Sequence, residues 1–213
     1  RDAWGLGRDP IDNIISITEQ HGILVTSFST STNDVDAFSQ FIEVDNTSTY
    51  IIAYSNNKTS AARIHFDIAH ELGHICLHEW SEDIEEISKE QFKSREREAN
   101  DFAAAFLLPE ETFKKDAENG PQTITYYKQL KKKWKVSMQA MMYRARQLDI
   151  ISTNQFQYMM RTMSKNGNRT HEPGDKPGEI GDTIFQAALD MLFEGGYLTV
   201  RELLKEFGRY GIY

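Results

Sequence analysis

Apolar positions near the start of the chain follow first a helical and then an extended rhythm. Ile11, Ile14, Ile15 and Ile17 recur at the spacing of one helical face, so residues 10–20 are expected as a short amphipathic helix ended by His21-Gly22. Ile23-Leu24-Val25-Thr26 then reads as a strand, and two more extended stretches follow over residues 38–44 and 49–54. Asp45-Asn46 with Thr47-Ser48 supplies turn chemistry between those two, and Asn56-Asn57 supplies it after them. A small sheet is thus laid down before the next helix.

That helix is expected from about Ser60 to Leu77. At about 100° per residue, Arg63, Asp67, His70, Glu71, His74 and His78 share a polar arc, and Ile64, Ile68, Leu72 and Ile75 share an apolar one. Ala69, Gly73 and Cys76 form a third, small stripe. A mid-helix glycine costs about 1 kcal/mol relative to alanine, which close approach of another backbone would offset. A merely solvated arc would carry Lys or Glu rather than three histidines. His70-Glu71-Leu72-Gly73-His74 is a His-Glu-x-x-His string, whose two histidines project to nearly the same side and reach one metal ion. Glu71 is then held beside the open coordination position, where it can take a proton from water.

His78 continues the four-residue spacing. A straight helix sets His70 and His78 about 12 Å apart, whereas Zn–N bonds are only about 2.0–2.1 Å. The three histidines therefore cannot share one ion, and His78 is read as a supporting or surface residue. His65, on another side, is read as structural. Cys76 lies about 120° from His70 and is expected as a buried, inert thiol rather than a ligand.

Two histidines need a further protein ligand, leaving a fourth position for water. The strongest candidate helix is Arg95-Glu96-Arg97-Glu98-Ala99-Asn100-Asp101-Phe102-Ala103-Ala104-Ala105, whose alanines allow close packing. Glu96 and Glu98 stand about 200° apart, so only one can face the metal. Glu98 shares its side with Asp101, Phe102 and Ala105, and Glu96 with Asn100 and Leu107. The period leaves both open.

Taken together, Arg63-x-x-Phe66-x-x-Ala69-His70-Glu71-Leu72-Gly73-His74 and Glu98-Ala99-Asn100-x-Phe102-Ala103-Ala104-x-Phe106-Leu107-Leu108-Pro109 resemble the ImmA/IrrE family of zinc metallopeptidases. Trp4-Gly5-Leu6 with Pro10-Ile11 resembles the family's usual start. Trp134-Lys135-Val136-Ser137, with Arg144 and Leu148, extends the resemblance to roughly residues 1–150. It implies an α+β, zincin-like fold. It further implies zinc held by His70, His74 and Glu98, the last being the glutamate before Ala-Asn, with Glu71 as catalytic base. Asp67 departs from a common Thr and adds a negative charge one turn from the metal. Leu108 departs from a common Met, an exchange that nearly conserves volume.

The chemistry that follows is metal-assisted hydrolysis. Zinc lowers the pKa of a bound water to about 7, Glu71 removes the proton, and the same carboxyl returns it to the departing amine. For an oxyanion donor the candidates are Tyr126, Tyr127 and Arg63, against readings as core aromatics and a helix-surface cation. The resemblance implies a cytoplasmic regulatory protease whose typical substrate is a helix-turn-helix transcriptional repressor encoded nearby, so that cleavage relieves repression. The alternative is a DNA- or protein-binding regulator with a structural or sensing zinc. Glu71 speaks against it, because a structural site gains nothing from a free carboxylate beside an open position.

Residues 123–133 and 137–148 read as two helices joined at Trp134-Lys135-Val136, with Ser137 as N-cap, in the manner of a helix-turn-helix. Lys128, Lys131, Lys132, Lys133 and Lys135 could touch phosphate there. A net charge of −8 argues against a general nucleic-acid binder, so nucleic acid is not the favoured partner. Glu79, Glu82, Asp83, Glu85, Glu86 and Glu90 read as a solvated connection. Beyond a helix over 154–163, residues 166–178 read as a polar linker rich in Gly and Pro. Ile184, Ala187, Ala188, Met191 and Leu192 then follow helical spacing up to Gly195-Gly196. Thr199-Val200-Arg201-Glu202 is a capping box that opens a last helix to about Phe207. The chain accordingly divides into a zincin-like core (1–110), a helix-turn-helix-like part (111–165), the linker (166–178) and a two-helix extension (179–213). That extension is too small for its own core and must pack on the body or on a partner.

Composition adds bounds. With 213 residues, 39 % hydrophobic and 26 % charged, the chain suits one soluble domain, or one domain with a small appendage. No apolar run approaches the roughly 20 residues of a membrane span, and no secretory leader is visible. The start at Arg1 leaves room for a preceding targeting or DNA-binding segment. Cys76 is the one cysteine, which excludes internal disulfides and fits a reducing cytoplasm.

Overall fold

A capped short helix leads into the sheet. In the computed structural model, which describes residues 1–29, 35–44, 47–57, 60–78, 87–169, 171–175 and 183–209, helix α1 spans Ile14–Gln20. It begins later than the periodicity predicts because Asn13 caps it, accepting from the Ser16 amide at 3.0 Å, and leaves Ile11 buried ahead of the first turn. Strand β1 (Leu24–Phe28) follows, then β2 (Ala37–Val44) and β3 (Thr47–Ser55). Their spatial order is β1-β3-β2, with β3 parallel to β1 and antiparallel to β2. Val25 pairs with Ile52 at the buried centre of the sheet. This mixed α+β architecture is the class the sequence implies. The turn at Asp45-Asn46 and the acidic connection from Glu79 to Glu86 lie outside the described residues.

Helix α2 (Ala61–Leu77) packs Ile64, Ile68 and Leu72 into the core, as its apolar arc predicts. Helix α3 (Lys89–Leu107) starts well before Arg95, because Ser88 and Gln91 form a reciprocal capping box with contacts of 3.2 and 2.9 Å. The two helices meet at Gly73. A Cβ there would lie 3.1 Å from both the Cα and the carbonyl oxygen of Ala99, and 3.2 Å from Cβ of Phe102. The backbone approach expected of the small stripe is therefore made with α3. Cys76, expected to be buried, is exposed together with Leu77, since the last turn of α2 projects past the core. His65 is buried, as expected of a structural residue, and burial pushes its imidazole down to about 4.

Helix α4 (Glu110–Glu118), which no sequence period marked, opens at Pro109 and buries Phe113 and Ala117. Helices α5 (Ile124–Trp134) and α6 (Met138–Gln147) are joined through Lys135 in a left-handed conformation, φ 54°. Ser137 caps α6 by accepting from the Ala140 amide at 3.1 Å. Trp134 packs edge-on against Phe113, centroids 5.5 Å apart, and its indole N–H donates to Asp116 at 2.9 Å. Helix α7 (Thr153–Lys165) starts from a second Ser–Gln capping box at Ser152 and Gln155.

The stretch after α7, expected as a polar linker, is fastened to the body over its described residues 171–175. Glu172 is only 4 % exposed. Its carboxylate accepts from the amides of Met138 (2.7 Å) and Gln139 (3.1 Å) at the N-terminus of α6, and from Nζ of Lys131 (2.9 Å). An acid at that end of a helix meets unpaired amides and the positive end of the dipole. Asp175 accepts from the Ser60 hydroxyl at 2.8 Å and also pairs with Lys131. Helix α8 (Ile184–Glu194) then lies against β1, the Ile184 amide donating to Glu19 at 2.7 Å. Helix α9 (Val200–Arg209) opens on the predicted box of Thr199 and Glu202. Among the described residues no helix is long and apolar enough to cross a membrane.

Two substitutions test this packing. Gly73→Ala gains about 1 kcal/mol of helix propensity but overpacks against the backbone of α3 at a cost of about 1–3 kcal/mol, so urea denaturation should show a net loss of up to about 2 kcal/mol. Lys131→Ala strands the Glu172 and Asp175 carboxylates, and the same measurement should show a loss of about 3–5 kcal/mol, the range for a broken buried pair.

Candidate metal centre

One turn of α2 sets the two motif histidines side by side. The Nε2 atoms of His70 and His74 are 3.0 Å apart. From α3, Glu96 brings Oε2 to 3.5 Å from His70 Nε2 and Oε1 to 3.3 Å from His74 Nε2. A tetrahedral zinc site with bonds of about 2.0–2.1 Å has donor–donor edges of about 3.3 Å; the two imidazole nitrogens stand near that spacing, and each lies within 3.5 Å of a different oxygen of the Glu96 carboxylate. Burial, followed by the neighbouring His70 and His78, pushes the His74 imidazole down to about 4. It is therefore neutral near pH 7 and keeps a lone pair to offer. Among the described residues, His70, His74 and Glu96 form the cluster able to hold a metal ion.

Glu98, which the family resemblance implied as third ligand, stands beside His78 and Ser94 rather than within the His70, His74 and Glu96 cluster. Its Oε2 lies 3.3 Å from Nε2 of His78, its Oε1 accepts from the Ser94 hydroxyl at 2.9 Å, and its side chain is 53 % exposed. The reason is geometric. Ala99 and Phe102 face Gly73 across the helix contact, and the two glutamates, about 200° apart, flank that stripe on opposite sides. Glu96 leans toward His70 and His74, while Glu98 leans toward the end of α2. The hydrogen bonds to Ser94 and His78 hold the Glu98 carboxyl below its ordinary value.

Glu71 stands next to the donor set. It is 8 % exposed, and its Oε2 accepts from the Ser39 hydroxyl on β2 at 2.6 Å. Burial raises its carboxyl above the usual range, and the Ser39 bond to the charged form opposes that rise. Ser39 was missed from sequence. Strand alternation puts it on one face with Ala37, but only the docking of α2 shows that this face meets Glu71. His78 caps α2 with an extended backbone, φ −117° and ψ 143°. Its ring therefore leaves the His70–His74 row, as expected of a non-ligand, and sets Nδ1 2.9 Å from Nδ1 of His74. The oxyanion candidates are engaged away from the histidines. Tyr126 donates to the Asp116 carbonyl at 2.6 Å, Tyr127 to Gln122 at 3.0 Å, and Arg63 to the Arg169 carbonyl.

The histidine pair, its carboxylate partner and the buried glutamate beside them invite comparison with known metallopeptidases. A peptidase family model described as the IrrE N-terminal-like domain matches residues 18–146, more than half of the chain. The chain belongs to this family. In this IrrE-like domain the match runs from α1 through the sheet, α2 and α3 and on to α6, so the helix-turn-helix-like pair lies within the matched region. Membership points to a metallopeptidase, and the His70, His74 and Glu96 cluster could hold a metal ion. No curated protein matches the chain.

Removing the Ser39 hydroxyl takes away a donor that favours ionised Glu71. Ser39→Ala should therefore raise the Glu71 carboxyl pKa further, read by carbon-13 NMR titration of labelled glutamate. An unchanged titration would show that the contact has no electrostatic weight.

Proposed function

We propose that this IrrE-like protein is a zinc-dependent endopeptidase that cuts a peptide bond in a protein substrate, with His70, His74 and Glu96 as zinc ligands and Glu71 as general base. One observation carries the reading: a buried carboxylate adjoins two imidazole nitrogens 3.0 Å apart, each within 3.5 Å of an oxygen of the Glu96 carboxylate. A structural site has no use for that carboxylate.

Zinc, when bound, supplies Lewis acidity at the scissile carbonyl and lowers the pKa of water to about 7. Glu71 takes the proton as the water oxygen bonds to the carbonyl carbon. The C–N bond then breaks, and Glu71 passes the proton to the departing amine nitrogen. Ser39 holds the carboxylate in place through its 2.6 Å hydrogen bond. Glu96 and Glu71 thus divide the work between holding the ion and moving the proton.

The family resemblance supports a helix-turn-helix transcriptional repressor as substrate, cut in the cytoplasm to relieve repression. Direct nucleic-acid binding by α5 and α6 is less well supported. The Glu172 carboxylate covers the N-terminus of α6, and Lys131, Lys133 and Lys135 are paired with Glu172 and Asp175, Asp116 and Asp12 respectively. Those pairs leave less positive charge for phosphate.

Incubating the zinc-loaded protein with the repressor encoded beside it tests the reading. Cleavage should appear, stop with a zinc chelator, and fall about 100- to 10,000-fold in Glu71→Gln while bound zinc is kept, a loss on the order of general-base catalysis. Wild-type cleavage by Glu71→Gln would sink the general-base role. Tight DNA binding without cleavage would favour a regulator with a sensing zinc.

A further inference from the structure

Behind the ligand His74 the structure holds a relay of side chains that the hydrolytic chemistry does not use. His74 Nδ1 is 2.9 Å from His78 Nδ1, His78 Nε2 is 3.3 Å from Glu98 Oε2, and Ser94 Oγ donates to Glu98 Oε1 at 2.9 Å. If His74 keeps its Nε2 lone pair for the metal, its proton sits on Nδ1 and is donated to His78. His78 must then accept at Nδ1 and carry its own proton on Nε2. That proton is donated to Glu98, an acceptor-only carboxylate whose other oxygen is occupied by Ser94. Every link is satisfied by this one arrangement, and it runs in one direction from metal ligand to carboxylate.

We propose that His78 and Glu98 are positioning residues that fix the tautomer and ring orientation of His74, so that its Nε2 lone pair points at the ion. This rests on the reading of His70, His74 and Glu96 as the zinc site. Two features of the backbone support it. His78 leaves helical geometry at the end of α2 while its amide still bonds the His74 carbonyl at 3.1 Å, and this brings its ring behind His74 rather than into the donor row. Glu98 comes from α3, the helix that also carries Glu96, so the contact that delivers a ligand delivers its support as well. Outer partners of metal-bound histidines raise ligand basicity, and losing one typically costs 10- to 100-fold in metal affinity.

The test measures zinc affinity by competition with a chelating dye, for the wild-type chain and for His78→Ala, Glu98→Ala, Glu98→Gln and Glu96→Ala. His78→Ala and Glu98→Ala should weaken zinc binding about 10- to 100-fold. Glu98→Gln, whose amide oxygen still accepts, should recover part of that loss, and Glu96→Ala should weaken binding more than any of them. Proton–nitrogen NMR of the zinc-loaded protein should show His74 as the Nδ1–H form and His78 as the Nε2–H form, a signature that general packing would not produce. Glu98 is half-exposed, so its variants keep the test valid even if His78→Ala fails to fold. Wild-type zinc affinity in both Glu98 variants, with loss in Glu96→Ala, would overturn the relay and leave the zinc site standing. Full zinc affinity in Glu96→Ala would overturn the site itself. Loss in Glu98→Ala as complete as in Glu96→Ala would make Glu98 a ligand and overturn its positioning role.

Discussion

The metal centre depends on how closely α2 can approach α3, and that distance is set by the missing side chain at Gly73. With Ala99 backbone atoms 3.1 Å from where a Cβ would stand, the two helices lie near enough for a glutamate on one to reach two imidazoles on the other. A carboxylate side chain is short. Had a larger residue at position 73 separated the helices, Glu96 would fall out of reach of His70 and His74. The cost of a glycine within a helix, about 1 kcal/mol, is set against the assembly of the donor set. The apolar arc of Ile64, Ile68 and Leu72 seats the same helix on the core from its other side, so its rotation is fixed and the histidines cannot swing away.

Three glutamates around this contact show how environment divides identical side chains among different tasks. Glu71 is buried and bonded to Ser39, so its proton affinity is raised and its position held. Glu96 sets one carboxylate oxygen 3.5 Å from Nε2 of His70 and the other 3.3 Å from Nε2 of His74. Glu98, two residues further along the same helix, is half-exposed, bonds Ser94 and His78, and stays readily ionised. Their chemistry at the level of the free amino acid is the same. Burial, nearest donor and position around the helix make the difference.

A second anchoring point lies at the far end of α2. Glu172 and Asp175 converge on Lys131 while also engaging the amides that open α6 and the Ser60 hydroxyl that precedes α2. This ties the segment after α7 to both the motif helix and the helix-turn-helix-like pair. It also explains how the polar residues 171–175 are held against the body. Their two carboxylates meet a buried ammonium and unpaired helix amides, which together offset the desolvation of the charges. Nothing in the local composition distinguishes such a strap from a free linker, because both are polar and turn-rich.

Much of the fold was legible because it is local. The strands, the motif helix, the Ser137 cap and the Thr199 capping box all follow from periodicity and from side chains within a few residues of one another, and the His-Glu-x-x-His spacing on a helix determined by itself that two imidazoles and a carboxylate would share one side. The glycine in the small stripe even announced a close neighbour. Helix α4 was not legible, since its few turns between Pro109 and Gly120 carry only Phe113 and Ala117 as buried marks. What tertiary structure alone decided was which of Glu96 and Glu98 reaches the histidines, which strand residue touches Glu71, and where the His78 ring and the Cys76 thiol end up. Helical period gives the angle between two residues on one helix, but the direction of the partner helix is absent from it. That direction is set by how Gly73 and Ala99 pack, a contact between residues far apart in the chain.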